Sequence, residues 1–379
     1  MSDIRVTAVP FNGADYDGYV AKMARVSHTQ QPAKRSDSEL VRRLTSDPEA
    51  PHWTPFAHIQ YVYAIEVHQN GWDNTRLVDW ALAKLWSDLA EASGGDLFDS
   101  AIVQRMEDKR EIYIRVSLQH LLNVAKNWKK NGVLHRLLLV PHAAEASTSV
   151  ALEEVARAGR ALQAEGGDAI IQKADCTWFD DIRTLVTVLP AAYPFCSDPF
   201  PSNSVQSALL KETFRTMPEL FTTTLLIENI PLWMATQLLR HRRGVVVNQQ
   251  SFRYSSDTDY SSWKFDFSNW REQSKTKADA GRAPRIRWED ETMSSVRESC
   301  GEALFKLLKA YKAALEAGVS KECARDLLPA YFPTNMYVTL TREALDRIIH
   351  LRGGPEAQVE WAELVNLLRK VADKGQSDA

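Results

Sequence analysis

The stretch from Leu220 to Ser255 reads LFTTTLLIENIPLWMATQLLRHRRGVVVNQQSFRYS, and its character changes three times along the way. Leu220–Glu228 is rich in β-branched and apolar residues and predicts a strand. Pro231 opens a helix predicted to run through about His241, because proline suits a first helical turn. Arg240, His241, Arg242 and Arg243 stand at its end, followed by the short apolar run Val245–Val247 and then by Asn248, Gln249, Ser251, Arg253 and Tyr254. Arg and Ser donors suit phosphate oxygens, which guanidinium forks match in geometry. Asn and Gln hydrogen-bond in both directions, as a base or sugar requires, and Tyr254 offers a flat face with a polar tip. By these residue types the stretch is a nucleotide or anion site. A solvated basic helix end is the competing reading, since cations are also favoured at a helix C-terminus.

Outward from this stretch, further strand and helix segments can be read. Ile4–Val9 reads as a strand, Tyr16–Arg25 as a helix, and a second helix starts near Ser36 with Asp37 and Glu39 in its first turn. Ile59–Val67 is a second β-branched and aromatic run. Trp80–Leu89 reads as helical, Tyr113–Asn123 mixes strand character with a helix start, and residues 144–165 form an alanine-rich amphipathic helix. Residues 190–204 carry four prolines and read as a long loop or connection. Residues 272–289 read as an exposed loop, Glu291–Ala317 as the longest helix, and a final pair follows, Leu340–Leu351 helical at least in its second half and Glu360–Ala372 as a last helix.

Two further clusters carry chemistry. His52-Trp-Thr-Pro-Phe-Ala-His58 places two histidines around an aromatic pair and holds Thr54 extended before proline. Arg325 and Arg352 each lie beside leucines, which predicts partial burial and a need for an anionic partner such as Asp326 or Glu360.

The 379 residues are 44% hydrophobic and 25% charged, ordinary for a soluble globular chain, and allow one elaborated domain or two. Lys and Arg number 46 against 49 Asp and Glu, a net charge of −3 that argues against a bulk nucleic-acid binder but not against a local basic site. The opening MSDIRVTAVPF has no apolar core or cleavage site of a secretory signal, and no run is long enough to span a bilayer. Cys176, Cys196, Cys300 and Cys323 lie far apart, which predicts small core residues in a reducing cytoplasm and neither a metal site nor a disulfide framework. Tyr113–Asn123 and Met336–Asp346 share a V-[ST]-L unit, each downstream of a strand, hinting at two related halves.

Thr54-Pro55-Phe56-x-His58, Arg240-His241-Arg242 with Asn248-x-x-Ser251-x-Arg253-Tyr254, and Arg325 with Leu351-Arg352 and Ala357-Gln358-x-Glu360 together resemble the flavin-dependent thymidylate synthases (ThyX). Ala24–His28 (ARVSH) resembles the start of that family. The resemblance covers roughly residues 20–67 and 220–372. It implies an α+β fold with a mixed sheet flanked by long helices. It also implies a cytoplasmic homo-oligomer (tetramer, or a dimer of pseudo-dimers) acting on a small nucleotide, with no nucleic-acid or membrane partner. The implied reaction is reductive methylation of dUMP at C5 to dTMP, with methylenetetrahydrofolate and NADPH as co-substrates and FAD as cofactor. UMP or dCMP as substrate, or a non-catalytic nucleotide binder, are the alternatives.

By the resemblance, Arg352 lies against the uracil carbonyl and N3 edge and stabilises negative charge on the ring. Gln237, Arg240, Gln249, Ser251, Arg253 and Arg325 bind the nucleotide, Ser251 and Arg253 holding its phosphate. Thr54, Arg240, His241, Arg242 and Asn248 contact FAD, and His52 and Tyr254 line the folate face. The chain also departs from the pattern. Gln249 stands where a glutamate is usual, Ala57 replaces another, and Arg242 to Asn248 is one residue longer. Thr341, Glu343 and Arg347 stand where Asn, Arg and Asn would touch FAD, and Glu343 and Arg347 could pair at i, i+4.

A long extra segment between the Thr-Pro-Phe turn and the Arg-His-Arg helix contains Val116–Asn123, which resembles the family's own flavin-contacting segment. This suggests a fused pseudo-dimer. Residues 1–150 would keep flavin-side residues (Thr54, Ser117, Gln119, Asn123), 151–204 would form a helical and proline-rich connection, and 205–379 would keep the nucleotide side. A single domain with an inserted helical segment is the alternative.

Overall fold

Two four-stranded sheets organise the chain. The computed structural model describes residues 4–9, 11, 15–26, 35–46, 54–69, 101–105, 111–126, 138–139, 142–143, 149–164, 182–190, 220–255, 267, 270–276 and 278–373. One sheet contains β1 (Arg5–Ala8), β6 (Thr222–Pro231), β8 (Pro333–Thr341) and β7 (Val245–Gln249), in that order. The other runs β3 (Ala101–Arg105), β4 (Glu111–Ser117), β2 (Gln60–Gln69) and β5 (Ile182–Pro190). The expected α+β class holds, but the expected mixed sheet does not. Every described ladder is antiparallel, so no neighbouring pair needs the long crossover that parallel strands demand.

The two sheets have matching connectivity. Gln60 starts β2 opposite Ser117 at the end of β4, and Thr222 starts β6 opposite Thr341 at the end of β8. Each second partner runs straight into a helix: α3 (Leu118–Lys126) and α8 (Arg342–Arg352). The caps match too, Ser117 Oγ accepting from His120 N at 3.2 Å and Thr341 Oγ1 from Ala344 N at 3.0 Å. Leu118 N donates to Ile59 O at 2.9 Å, and Arg342 N to Phe221 O at 3.2 Å. The register therefore equates Ser117 with Thr341, two residues beyond the Thr339 that the shared V-[ST]-L unit suggests.

The edge strands cross over. β1 precedes β2 in the chain yet pairs with β6, and β5 precedes β6 yet pairs with β2. They meet equivalent positions, Ala8 opposite Leu225 and Val188 opposite Tyr63. Residues 151–204, expected as a connection, thus contribute β5 to the sheet of β2.

Helices α1 (Tyr16–Arg25), α2 (Asp37–Ser46), α3 and α4 (Val150–Ala164) form one core with β2 and β4 around Val20, Phe56, Tyr63, Leu121 and Val155. Asp17, 6% exposed, ties it together by accepting from Ser38 Oγ, Ser149 Oγ, Val150 N and Ala151 N, which also caps α4. A second core under β6 and β8 takes α5 (Leu232–Leu238), α8 and α9 (Val359–Asp373), centred on Met234, Leu345, Trp361 and Leu364.

Several boundaries move from expectation. The helix at Pro231 ends at Leu238, where Leu239 caps it with its N–H on Ala235 O, and Arg240 and His241 continue as turns. Leu340 and Thr341 finish a strand instead of starting a helix, because Thr341 closes the ladder and caps α8 with its side chain. β6 carries a bulge between Ile227 and Ile230. Asn229 sits there at φ 60, its N–H donating to Asn335 Oδ1 at 2.9 Å, a conformation asparagine tolerates. Helix α6 (Glu291–Glu316) is the longest described, as expected. Cys300 is half-buried and Cys323 exposed, so these two are not core residues; Cys176 and Cys196 lie outside the described residues, as do Trp80–Leu89 and nearly all of 190–204.

Candidate functional site

Helix α5 buries Met234, Ala235 and Leu238 and leaves Gln237 half-buried at its flank. Beyond it the chain turns back into β7 through Gly244, at φ +69. A Cβ there would stand 2.5 Å from Thr341 Oγ1, so the turn requires glycine both for its backbone and for its approach to the α8 cap. This tight return leaves Arg240, Arg242 and Arg243 exposed and turns His241 inward.

His241 meets Arg352 at the end of α8, where Arg352 Nε lies 3.4 Å from His241 Nε2. The Arg352 guanidinium stands 4.9 Å from the centre of the Trp361 ring, which His241 also faces edge-on at 6.5 Å. Trp361 Nε1 donates to Gln237 Oε1 at 2.8 Å. Burial first, then the charges of Arg352 and Arg347, hold His241 below its usual value, so it stays neutral and can accept from Arg352. Three expected site residues from three separate elements thus converge on Trp361.

Most of the other residues expected at the nucleotide form a second group. Arg253 Nη2 pairs with Glu322 Oε1 at 3.0 Å and stacks 5.8 Å from the Tyr254 ring. Lys321, which with Glu322 belongs to α7 (Lys321–Ala324), donates to Tyr254 O at 3.2 Å. Ser251 O accepts from Tyr254 N and Ser255 N, a turn that Phe252 anchors against Phe332. Arg325 is exposed, contrary to the expectation of burial. Among the described residues neither Asp326 nor Glu360 forms an ion pair with Arg325 or Arg352. A guanidinium in water, or stacked on indole, needs no carboxylate partner. Glu360 is itself buried, and burial raises its carboxyl above the usual range.

Of the residues expected at the flavin, Thr54 is the exposed first residue of a tight 3₁₀ turn, Thr54–His58, that packs against β7. His58 is buried, with Nδ1 2.7 Å from Thr339 Oγ1, which in turn lies 2.6 Å from Thr224 Oγ1. Its Nε2 and the Oε1 of buried Gln60 have no partner among the described residues. Burial pushes His58 down to about 3. A small cleft with about 10 Å³ of water-accessible space lies between the sheets, lined by Gln60, Arg115, Thr222, Gly244, Val245, Val246 and Thr339. Asn123 is exposed on α3, and Ser117 is spent on its cap. Asn248 is buried with Nδ2 on Met23 O at 3.3 Å, and Gln249 Nε2 reaches Thr334 Oγ1 at 3.4 Å. Glu343 lies 3.5 Å from Arg347 and 3.8 Å from Arg243, and Arg347 also donates to Arg243 O at 2.6 Å. The i, i+4 pair read from the sequence is therefore formed. His52 lies outside the described residues.

Sequence reasoning missed Trp361. Its signal was available: a tryptophan two residues into an amphipathic helix, beside the Ala-Gln-x-Glu run. No group of three or more His, Cys, Asp or Glu is placed to hold a metal among the described residues, and none of their helices is long and apolar enough to cross a membrane.

A protein-family model described as thymidylate synthase complementing protein, Thy1, matches residues 182–374. The chain is similar to a flavin-dependent thymidylate synthase of Kosmotoga olearia, 28% identical over 143 residues, 38% of this chain and 59% of the relative. It is also similar to one of Thermus thermophilus, 31% identical over 37% of this chain and 48% of the relative. It thus spans about half to three-fifths of the length of these curated relatives. A solved UMP/dUMP methylase, PolB from Streptomyces cacaoi, bound with 5-Br UMP, aligns at 19% identity and TM-score 0.36, covering 47% of this chain and 83% of that one. Since the family model spans half of the sequence, including the Arg-His-Arg turn, β8 and the Arg352 helix, the chain belongs to the thymidylate synthase complementing protein family.

Proposed function

We propose that the protein catalyses FAD-dependent reductive methylation of dUMP at uracil C5, taking carbon from methylenetetrahydrofolate and electrons from NADPH. The observation that carries this reading is the convergence of Gln237, His241 and Arg352 on one aromatic face. Arg352 is the catalytic residue: its terminal N–H groups hold the uracil carbonyl and N3 edge and favour the anionic ring. Gln237, Arg240, Gln249, Ser251, Arg253 and Arg325 bind the nucleotide, with Ser251 and Arg253 at its phosphate. His52 and Tyr254 line the folate face.

The small cleft between the sheets presents a hydrogen-bonding edge at Gln60. The unpaired Gln60 Oε1 calls for a donor, and an acceptor left buried without one costs on the order of 1–3 kcal/mol. Thr54, Asn123, Arg240, His241, Arg242 and Asn248 are the residues that would hold FAD beside it. When bound, FAD supplies the two-electron reduction that uracil C5 chemistry needs without a cysteine nucleophile.

The chain is best read as two fused halves, 1–150 and 205–379, making a pseudo-dimer that works in the cytoplasm as a homo-oligomer. The matching ladders, caps and exchanged edge strands support this. The Glu343–Arg347–Arg243 ties lie where the second half's own flavin contacts would be, which favours one working site per chain.

Purified protein with FAD, NADPH, methylenetetrahydrofolate and dUMP should form dTMP. Product from UMP or dCMP alone would redirect the substrate. Colourless protein that binds nucleotide without turnover would make it a non-catalytic relative.

A further inference from the structure

Trp361 is 1% exposed, and among the described residues its polar and stacking contacts are to Gln237, Arg352 and His241, all expected site residues. We propose that Trp361 is a positioning residue that fixes the base-facing pair Gln237 and Arg352 as donor-only, so that this pair selects a pyrimidine edge made of carbonyl acceptors over one bearing an amino group. The inference rests on the nucleotide reading above.

The argument starts from the indole, whose Nε1–H can only donate. With Nε1 2.8 Å from Gln237 Oε1, the amide oxygen is pinned inward and the NH₂ is turned outward. The opposite amide orientation would set donor against donor and leave the buried indole N–H unpaired, a penalty worth about ten- to a hundredfold in population. The same ring carries the Arg352 guanidinium on its face, while Nε is directed at neutral His241 Nε2. Nη1 and Nη2 of Arg352 then have no partner among the described residues and project as a fork of donors. Gln237 and Arg352 can therefore offer only N–H groups. A uracil edge answers with O2, O4 and, once deprotonated, N3. A cytosine edge would set its N4 amino group against these donors.

The test compares Trp361→Phe, which keeps the aromatic face and loses the N–H, with Trp361→Leu, which loses both. Binding of dUMP and dCMP to the full-length protein is measured by calorimetry. Wild-type protein should prefer dUMP by tenfold or more, and Trp361→Phe, folded although lowered in melting temperature by the smaller buried ring, should bring the two within about threefold. Retained preference in Trp361→Phe, or equal loss of both ligands, would overturn the donor-only assignment.

A second measurement does not depend on nucleotide binding. Burial first, then the charges of Arg352 and Arg347, lower His241. Trp361→Leu, which unpacks the histidine and also releases Arg352, should therefore raise the NMR titration midpoint of His241 further than Trp361→Phe, which keeps an aromatic face under Arg352. Equal midpoints in the two variants, with both folded, would overturn the positioning of Arg352 by Trp361. Should wild-type protein bind neither nucleotide, the nucleotide reading and the donor-only selection both fail, and the midpoint alone decides the positioning.

Discussion

Arg253 and Glu322 form an ion pair at 3.0 Å, so the arginine expected at the nucleotide phosphate already holds a carboxylate. Both side chains are about half exposed, and such pairs are worth only about 0.2–1 kcal/mol. A dianionic phosphate with several donors displaces a carboxylate of that strength. In the proposed nucleotide site Glu322 would thus be a weak competitor for the phosphate.

Glu322→Gln should therefore tighten dUMP binding by about two- to fivefold, and Arg253→Ala should weaken it by tenfold or more. Calorimetry at two salt concentrations checks both, because the gain in Glu322→Gln should shrink as salt rises. Weaker binding in Glu322→Gln would show that the pair positions Arg253 instead of competing for it.

His58 links pH to stability. Its folded value lies near 3, whereas an unfolded histidine titrates near 6.5, so between these values the unfolded chain binds the extra proton. The contribution of His58 is complete above about pH 6.5 and is lost as pH falls towards 3, with a slope of up to about 1.4 kcal/mol per pH unit. Urea midpoints at pH 7.5 and pH 5 should therefore differ more in wild-type protein than in His58→Asn, which can keep the hydrogen bond to Thr339. Equal pH dependence in the two proteins would mean that His58 takes up a proton in the folded state.

Gly244 sets the turn that brings His241 inward. Its φ of +69 and the 2.5 Å approach of a would-be Cβ to Thr341 Oγ1 act together. Gly244→Ala should cost about 1–3 kcal/mol in backbone strain alone. It should also loosen the Ala344 N–H cap that Thr341 provides, visible as faster amide exchange at the start of α8. A melting temperature within a degree of wild type would show that the turn relaxes without strain.

The legible parts of this chain were those with strong local signals. Tyr16–Arg25 is a helix with the predicted bounds, because its capping and periodicity agree. The Arg-His-Arg turn and Arg352 could be read from residue type and order. β7 was less legible because five residues after a glycine carry little periodicity, and β8 because Thr341 ends a strand and caps a helix at one position. Trp361 was hidden for another reason. Its role comes from hydrogen bonding and stacking with residues more than a hundred positions away as well as nearby, which no local pattern encodes. The pairing of β1 with β6 is likewise a long-range choice, invisible in the composition of either strand.

That pairing yields the last prediction. β1 covers one edge of β6, and just past it Val9 N donates to Thr224 O at 2.8 Å, close to the Thr224–Thr339–His58 line of contacts between the sheets. Removing residues 1–9 exposes the hydrogen-bonding groups of β6, which lies far along the chain, while β2 keeps both of its own neighbours. Amides of β6 and β8 should then exchange faster than those of β2 and β4, although the deletion is nearer in sequence to β2. Faster exchange confined to β2 and β4 would mean that the first strand serves its own half, and the exchange of edge strands between halves would be refuted with it.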